Sequence, residues 1–233
     1  LDYEHLIATD LEFDIDKAKS WSFISDDIDE KQSDINYVED WTKDAAKQMA
    51  IAIDSQILAG VYSSAHASNQ GATAGVESSA FNLGVSGTPL QLTSSNVINF
   101  ILDCGTVLDE QNAPEDGRAI VLPPVICNLI KKSDLAEVQI SGDDTTIRRH
   151  GVLGMIDRFT IYRSNQIDTT VDGANTVFNV IACQKTAITF ASQLTKNESL
   201  KAPNQFGQLY RGLQVYGFKV IKPESLVWGY VYV

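Results

Sequence analysis

The longest regular pattern in the sequence is a run of apolar residues, three and four positions apart, between Ile35 and Ser63. This spacing lines up one apolar stripe along a helix, broken by the polar Gln56. The stripe consists of Val38, Trp41, Ala45, Met49, Ala52, Ile53, Ile57 and Val61. Asp34 can act as its N-cap, and at ~1.5 Å per residue the helix would be roughly 43 Å long. The mean helix has about 11–12 residues, so the pattern predicts a long strut.

Period-two alternation, which is typical of strands, occurs on both sides of this helix. Leu1–Ser25 is predicted to be extended, because Phe13 and Ile15 alternate with acidic residues and the aromatic Trp21 and Phe23 follow. The later strands are predicted at Arg118–Leu122, Phe159–Tyr162, Thr176–Ala182, Ala187–Phe190, Val215–Ile221 and Val227–Val233.

Two shorter helices and a loop are predicted between these strands. Thr93–Asp109 is an amphipathic helix that Thr93 or Ser94 could cap. A second helix begins at Pro124 and continues to Lys131, since proline suits a first helical turn. Ser63–Gly87, rich in Ser, Ala, Gly and Asn, is a loop or flexible insertion. Helices come first and strands later without a βαβ rhythm, which favours an α+β fold.

The chain is acidic, with 18 basic and 30 acidic residues among 233 and a net charge of −12. Nucleic-acid binders usually carry a basic patch, but the basic residues here are scattered, so sustained binding to a nucleic-acid backbone is not expected. No apolar run approaches the ~18 residues that a membrane helix needs. The three cysteines lack Cys-x-x-Cys spacing and are predicted to be small buried hydrophobes: Cys104, Cys127 and Cys183.

The sequence offers few groups with the spacing that catalysis requires, and it has no P-loop, G-x-S-x-G or H-E-x-x-H motif. The three dispersed histidines are His5, His66 and His150. Paired carboxylates could serve glycoside hydrolysis, and the candidate acids are Asp26, Asp27, Asp29, Asp143 and Asp144. These acids lie in turn-like polar contexts. We therefore expect no catalytic, cofactor or metal site, and a carboxylate-dependent hydrolase is the less favoured alternative.

One segment approaches a calcium-binding loop. Asp168, Thr170, Asp172 and Gly173 occupy the first, third, fifth and sixth positions of such a loop. The twelfth position is Asn179, where a bidentate Glu is needed, and strands replace the expected flanking helices. A hairpin turn at Asp172 and Gly173 explains the same residues better.

A more specific pattern occupies the C-terminal third. Its segments are Ala187–Glu198 (AITFASQLTKNE), Pro203–Gly207 (PNQFG), Arg211–Gly217 (RGLQVYG) and Lys219–Leu226 (KVIKPESL). In this order they resemble the end of the major capsid proteins of podovirus-like and related tailed bacteriophages. Earlier segments agree with the same family, namely Asp14–Ser33, Val107–Asn112, Gly117–Arg118, Val121–Pro124, Lys132–Leu135 and Gly151–Gly154. The resemblance covers most of the chain, although Ser63–Gly87 and Asp168–Asn175 match no family pattern.

This resemblance implies the tailed-phage major capsid fold, an α+β fold with a long spine helix, peripheral and axial domains and an extended loop. The spine helix would be Ile35–Ser63. Residues 1–25 would be the returning limb of the extended loop, 26–64 and 186–212 the peripheral domain, and 65–185 and 213–233 the axial domain. Because the chain starts at Leu1 in an apparent strand, we also expect that an N-terminal piece was cleaved or left out.

The implied function is that of a major capsid protein, which self-assembles through pentamers and hexamers into the icosahedral shell around the phage genome. Its partners would be other copies of itself, with scaffolding, portal and decoration proteins as further candidates and no membrane. It would assemble in the host cytoplasm and reside in the virion. The candidate subunit-interface residues are Phe13, Ile15, Trp21, Phe23, Asp27, Asp29 and Trp41. Another virion component, a decoration or tail protein, is the alternative, against which the long helix argues.

Overall fold

The structure is a computed structural model in which two compact units are distinguished. It describes residues 11–26, 37–133, 154–203 and 206–233, with the side chain of residue 194 omitted. The first unit takes in the described residues of Leu1–Met49 and Phe190–Lys219, and the second takes in those of Ala50–Thr189 and Val220–Val233.

The described residues contain three α-helices, which are α1 (Tyr37–Val61), α2 (Val97–Glu110) and α3 (Pro124–Lys132). Helix α1 confirms the predicted long helix. Its 25 residues span roughly 37 Å, and a 3₁₀ turn at Tyr62–Ser64 continues from its end. The predicted start at Ile35 and the Asp34 cap lie outside the described residues. No helix in the described ranges is long and apolar enough to cross a membrane.

Helix α2 begins four residues later than predicted, and the expected caps are wrong. The residue before its first turn is Asn96, whose side-chain oxygen accepts a hydrogen bond from the Thr93 amide at 2.7 Å. Thr93 therefore closes a turn ahead of the helix instead of capping it. The predicted apolar face is confirmed as buried, and consists of Val97, Phe100, Ile101, Cys104, Val107 and Leu108.

Ten strands are described. They are β1 (Lys17–Asp26), β2 (Leu90–Gln91), β3 (Arg118–Leu122), β4 (Met155–Ile156), β5 (Phe159–Arg163), β6 (Thr169–Asp172), β7 (Asn175–Gln184), β8 (Ile188–Lys201), β9 (Gly207–Val220) and β10 (Leu226–Tyr232). The α+β class is confirmed. The hairpin at Asp172 and Gly173 is also confirmed, since β6 pairs antiparallel with β7 across that turn.

The first unit contains a three-stranded sheet among its described residues, in the order β1-β9-β8. Strands β8 and β9 have 14 residues each, so the predicted strands Ala187–Phe190 and Val215–Ile221 are much too short. Beyond Phe190, most residues of β8 are exposed on both faces. A strand without a buried face has no apolar alternation to reveal it.

The predicted strand character of Phe13 and Ile15 is wrong, because the ladder between β1 and β9 begins only at Lys17, opposite Tyr216. The alternation itself is real, since both side chains are half-buried between exposed neighbours. The alternation indicates which side chains turn inward, but a strand also requires a hydrogen-bonded partner strand.

The second unit is built on a seven-stranded mixed sheet in the described residues, ordered β2-β10-β7-β3-β5-β4, with β6 pairing to β7. Helices α2 and α3 supply one side of its hydrophobic core, and β3, β7 and β10 supply the other. The most completely buried large apolar side chains include Ile101, Leu108, Ile120, Leu122, Ile126 and Ile130. The alternation Arg118–Leu122, buried at every second residue, matches this one-sided packing.

The Ser/Ala/Gly-rich segment is a loop, as predicted, and it packs against the edge of β10. The buried Asn69 side chain donates hydrogen bonds to the Glu224 and Leu226 carbonyls at 2.7 and 3.0 Å. Gly84 has φ +83°, and a Cβ there would lie 2.0 Å from the Tyr230 carbonyl oxygen. The close approach therefore requires glycine. An exposed sheet edge invites pairing with other chains, and this loop covers that edge.

Candidate subunit-interface surface

Strand β1 carries the predicted interface aromatics on one face. Residues Trp21 and Phe23 are half-buried, while the alternating Ser22 and Ile24 are exposed. On β9, Gly212 lies opposite Trp21 and Tyr210 lies opposite Phe23. The alternation of β1 therefore divides the three-stranded sheet into an aromatic face and a polar face.

The aromatic face forms a cluster with the N-terminal half of α1. The Phe23 ring stacks on Trp21 and Tyr210, with centroids 5.6 and 5.3 Å apart, and meets Trp41 edge-on at 5.7 Å. Tyr37 lies 5.0 Å from Trp41, and its hydroxyl is 2.8 Å from the Ser25 hydroxyl. These contacts lie within one subunit, so Phe23, stacked on Trp21, packs β1 against α1, while Trp41 stays 50% exposed.

Gly212 allows the Trp21 ring to lie across β9. A Cβ at this glycine would be 2.4 Å from the indole nitrogen and 2.7 Å from the Asn197 side-chain oxygen. Such separations are far below van der Waals contact. Glycine is thus required here by close approach, and the site links one residue on each of the three strands.

The polar face of the sheet carries an ion-pair network between β8 and β9. The Arg211 guanidinium donates to the Glu198 carboxylate at 2.6 and 2.9 Å, and the Lys196 ammonium contacts the other carboxylate oxygen. The hydrogen bond from Lys196, and then that from Arg211, lower the pKa of Glu198. With Ser20 and Ser22 these side chains border a shallow cleft of about 380 Å³.

Large apolar side chains are exposed around this sheet. Phe206 directly precedes β9 and is 87% exposed, and Leu200 and Ile24 are each 43% exposed. Exposed apolar side chains mark contact sites when they form a contiguous patch, whereas single exposed apolar residues are ordinary. None of these three was among the interface residues predicted from the sequence.

Several predicted candidates fall outside the described residues, so the structure does not place them. They are the interface residues Asp27 and Asp29 and the catalytic alternatives His5, His150, Asp143 and Asp144. Of the other candidate groups, Asp26 is exposed at the end of β1. His66 is held locally, since its Nδ1 accepts a hydrogen bond from the Ser68 amide at 3.3 Å.

The polar side chains that resemble a calcium loop are hydrogen-bonded within the protein. The Asn179 side-chain nitrogen donates to Asp168 at 2.9 Å and Thr170 at 3.3 Å, and its oxygen accepts from the Trp228 indole at 3.1 Å. Asp172 accepts from the Gly87 amide at 2.6 Å. Within the described ranges, no group of three or more His, Cys, Asp or Glu side chains could hold a metal ion.

The cysteines are free thiols, with Cys104 and Cys127 buried and Cys183 half-buried. Burial raises the pKa of all three, that of Cys183 to about 11. These thiols therefore stay protonated at neutral pH, in keeping with their predicted role as small hydrophobes.

Sequence reasoning missed a buried arginine in the second unit. Arg118 is 1% exposed and donates to the carbonyls of Pro114 and Ala113 and to the Asp109 carboxylate, at 2.7–3.0 Å. Arg158 donates to the second oxygen of Asp109 at 2.9 Å. Burial raises the pKa of Asp109, but the two arginines together outweigh burial and lower it. The strand alternation alone could have indicated that Arg118 points inward.

Comparison with known proteins identifies the family of this chain. The model of the phage capsid protein family matches residues 9–229, whereas no curated protein matches. A chain from Mycobacterium phage Che8 is 24% identical, with a TM-score of 0.74, covering 94% of this chain and 72% of that one.

Two further solved structures share the fold at lower identity. The capsid of the cyanophage P-SCSP1u is 15% identical with a TM-score of 0.70, covering 99% of this chain and 79% of that one. The mature capsid of bacteriophage PhiM1 is 13% identical with a TM-score of 0.65, covering 93% and 71%. The predicted resemblance is thereby confirmed: the chain belongs to the phage capsid protein family and is a tailed-phage major capsid protein, a structural subunit of the virion shell.

Proposed function

We propose that this subunit assembles through pentamers and hexamers into an icosahedral shell that encloses the phage genome, without catalysing a reaction. The observation that carries the proposal is the exposed apolar surface of the first unit, where Ile24 and Leu200 on the long three-stranded sheet and Phe206 just before β9 are exposed. A shell is built from many modest, repeated contacts, and such a sheet can supply several of them.

The interface we propose includes the residues predicted from the sequence. Trp41 and the half-buried Phe13 and Ile15 can contact a neighbour directly, while Trp21 and Phe23 support them from inside the aromatic cluster. Asp27 and Asp29 belong to the proposal through the sequence alone.

The same proposal covers partners, location and domains. Other copies of the chain are the principal partners; scaffolding, portal and decoration proteins would join them, and DNA is enclosed. Assembly would take place in the host cytoplasm. Residues 26–64 and 186–212 would form the peripheral domain, residues 65–185 and 213–233 the axial domain, and residues 1–25 a limb of the extended loop.

Electron microscopy and sedimentation of the purified full chain test this function. We expect closed shells, tubes or capsomers at high protein concentration, alone or after co-expression with a scaffolding protein. A chain that is strictly monomeric under both conditions would overturn the proposal.

A variant at the interface sharpens the test. Trp41→Ser should raise the concentration needed for assembly roughly tenfold, since a central aromatic commonly contributes more than 1 kcal/mol to an interface. The matched control is Tyr162→Ser, an aromatic of similar exposure on β5 and outside the candidate surface. Equal effects of the two substitutions would remove Trp41 from the interface.

A further inference from the structure

Strand β8 is the outermost strand of the first unit's sheet among the described residues. Its residues from Thr195 to Asn197, together with Ser199 and Leu200, are exposed. An edge of this length is a template for pairing with another chain, and natural proteins usually blunt such edges with charged side chains, proline, bulges or a covering segment. No proline interrupts β8.

The backbone of β8 near the hairpin tip presents its hydrogen-bonding groups in a defined order. The Ala202 amide donates to the Gly207 carbonyl at 2.9 Å, so Ala202 faces β9. Counting back, alternate residues share this orientation, and Asn197 and its odd-numbered neighbours direct their amides and carbonyls away from β9, to the outer edge of the sheet as described. The ion pair of Glu198 with Arg211, and the closeness of Asn197 to Gly212, agree with this register.

The sequence of this edge is chemically symmetric about Asn197. Residues 194–200 spell LTKNESL. Read outward from the central Asn197, the equivalent positions are Lys196 with Glu198, Thr195 with Ser199, and Leu194 with Leu200. An antiparallel pair of identical strands brings such equivalent positions face to face. Opposite charges and hydroxyls would each meet their complement.

We propose that β8 of one subunit pairs antiparallel with β8 of a second copy, about a two-fold axis through Asn197. This inference rests on the proposed function and names one contact of the shell. Lys196 then lies opposite Glu198 of the partner subunit, and the reverse pair forms across the axis. The contact is isologous, because the same patch serves both copies.

The charges on the polar face favour pairing of β8 with a second β8 over pairing with an uncharged strand. Lys196 and Glu198 already lie on one face of β8, where they contact each other within the subunit. In the paired strands each gains an opposite charge directly across the ladder, which stabilises a sheet. The contact is small and would be weak alone, as suits a shell in which each subunit makes many contacts.

Symmetric cysteine cross-linking tests the pairing in the full chain. Identical residues on a two-fold axis of antiparallel strands have Cα atoms about 5.5 Å apart, within the range that a disulfide spans. Asn197→Cys should therefore give a covalent dimer on oxidation, seen on a non-reducing gel. The matched control is Ser192→Cys on the same strand, because its two copies would lie roughly 34 Å apart.

The outcomes separate this contact from the function on which it rests. Particles that form while the Asn197→Cys chain stays uncross-linked overturn the β8 pairing and leave the shell function standing. Equal dimer yields from the Asn197→Cys and Ser192→Cys chains also overturn it, since they indicate random collision. A native chain that never assembles, even with a scaffolding protein, contradicts the function itself.

A charge substitution tests the register independently. In the Asn197→Cys chain, Lys196→Glu places two carboxylates opposite each other and should lower the dimer yield roughly threefold or more. Lys201→Glu is the matched control, since Lys201 would face the uncharged Gln193 of the partner subunit. A loss of yield that is the same for both substitutions would contradict the proposed register.

Discussion

At the scale of single residues, Arg118 is the group whose removal has the clearest consequence. Its guanidinium is buried and satisfies the Pro114 and Ala113 carbonyls as well as Asp109. Arg118→Met should lower the free energy of unfolding by about 3 kcal/mol, because buried acceptors lose their donor. Urea denaturation measures the change. The control is Arg163→Met, the same substitution at an exposed position, which should shift stability by less than about 0.5 kcal/mol.

Asp109 gives a second prediction at this scale, concerning pH. The two arginines hold the pKa of Asp109 below its ordinary value in the folded state. The ion pair therefore stabilises the protein fully above about pH 4, and the contribution is lost as pH falls through the lowered pKa. When the pH falls from 7 to 3, the free energy of unfolding of the Asp109→Asn variant should decrease less than that of the native chain. Asp44→Asn, at an exposed position of α1, should behave as the native chain does.

At the scale of elements, the packing of β1 on β9 depends on the absence of a side chain at Gly212. Gly212→Ala should destabilise the first unit by about 2 kcal/mol, because its Cβ overlaps the Trp21 indole. Tryptophan fluorescence during denaturation reports the change.

A double-mutant cycle isolates the cause of this loss. In a Trp21→Val background, Gly212→Ala should cost much less, since the smaller side chain leaves room for the methyl group. An unchanged cost in that background would assign the effect to the Asn197 side chain or the backbone of β9 instead of to Trp21.

At the scale of the whole molecule, the net charge of −12 opposes association of identical subunits. Raising the ionic strength from about 0.02 M to 0.2 M shortens the screening length to below about 10 Å. We therefore expect the protein concentration required for assembly to fall over this range, as measured by light scattering. Particles that dissociate as salt rises would show that attractive ion pairs outweigh the mean repulsion.

The sequence by itself determined the elements that have a buried face. The stripe from Val38 to Val61 predicted α1, the spacing from Val97 to Leu108 predicted the inward face of α2, and Arg118–Leu122 was predicted at its observed limits. Burial on one side imposes a period on the sequence, so these elements can be recognised without a structure. The ordered C-terminal segments likewise determined the family.

Only the tertiary structure decided how far β8 and β9 extend, and which residues complete the candidate surface. Tyr37 and Tyr210 join the aromatic cluster from distant positions, and Arg211 reaches Glu198 across the hairpin. Pairing in a sheet depends on partners that are far apart in the chain. An exposed edge strand also lacks the alternation of apolar residues by which a strand can be recognised in a sequence. The local sequence therefore describes which faces turn inward, while the fold decides which strand edges are left open for another subunit.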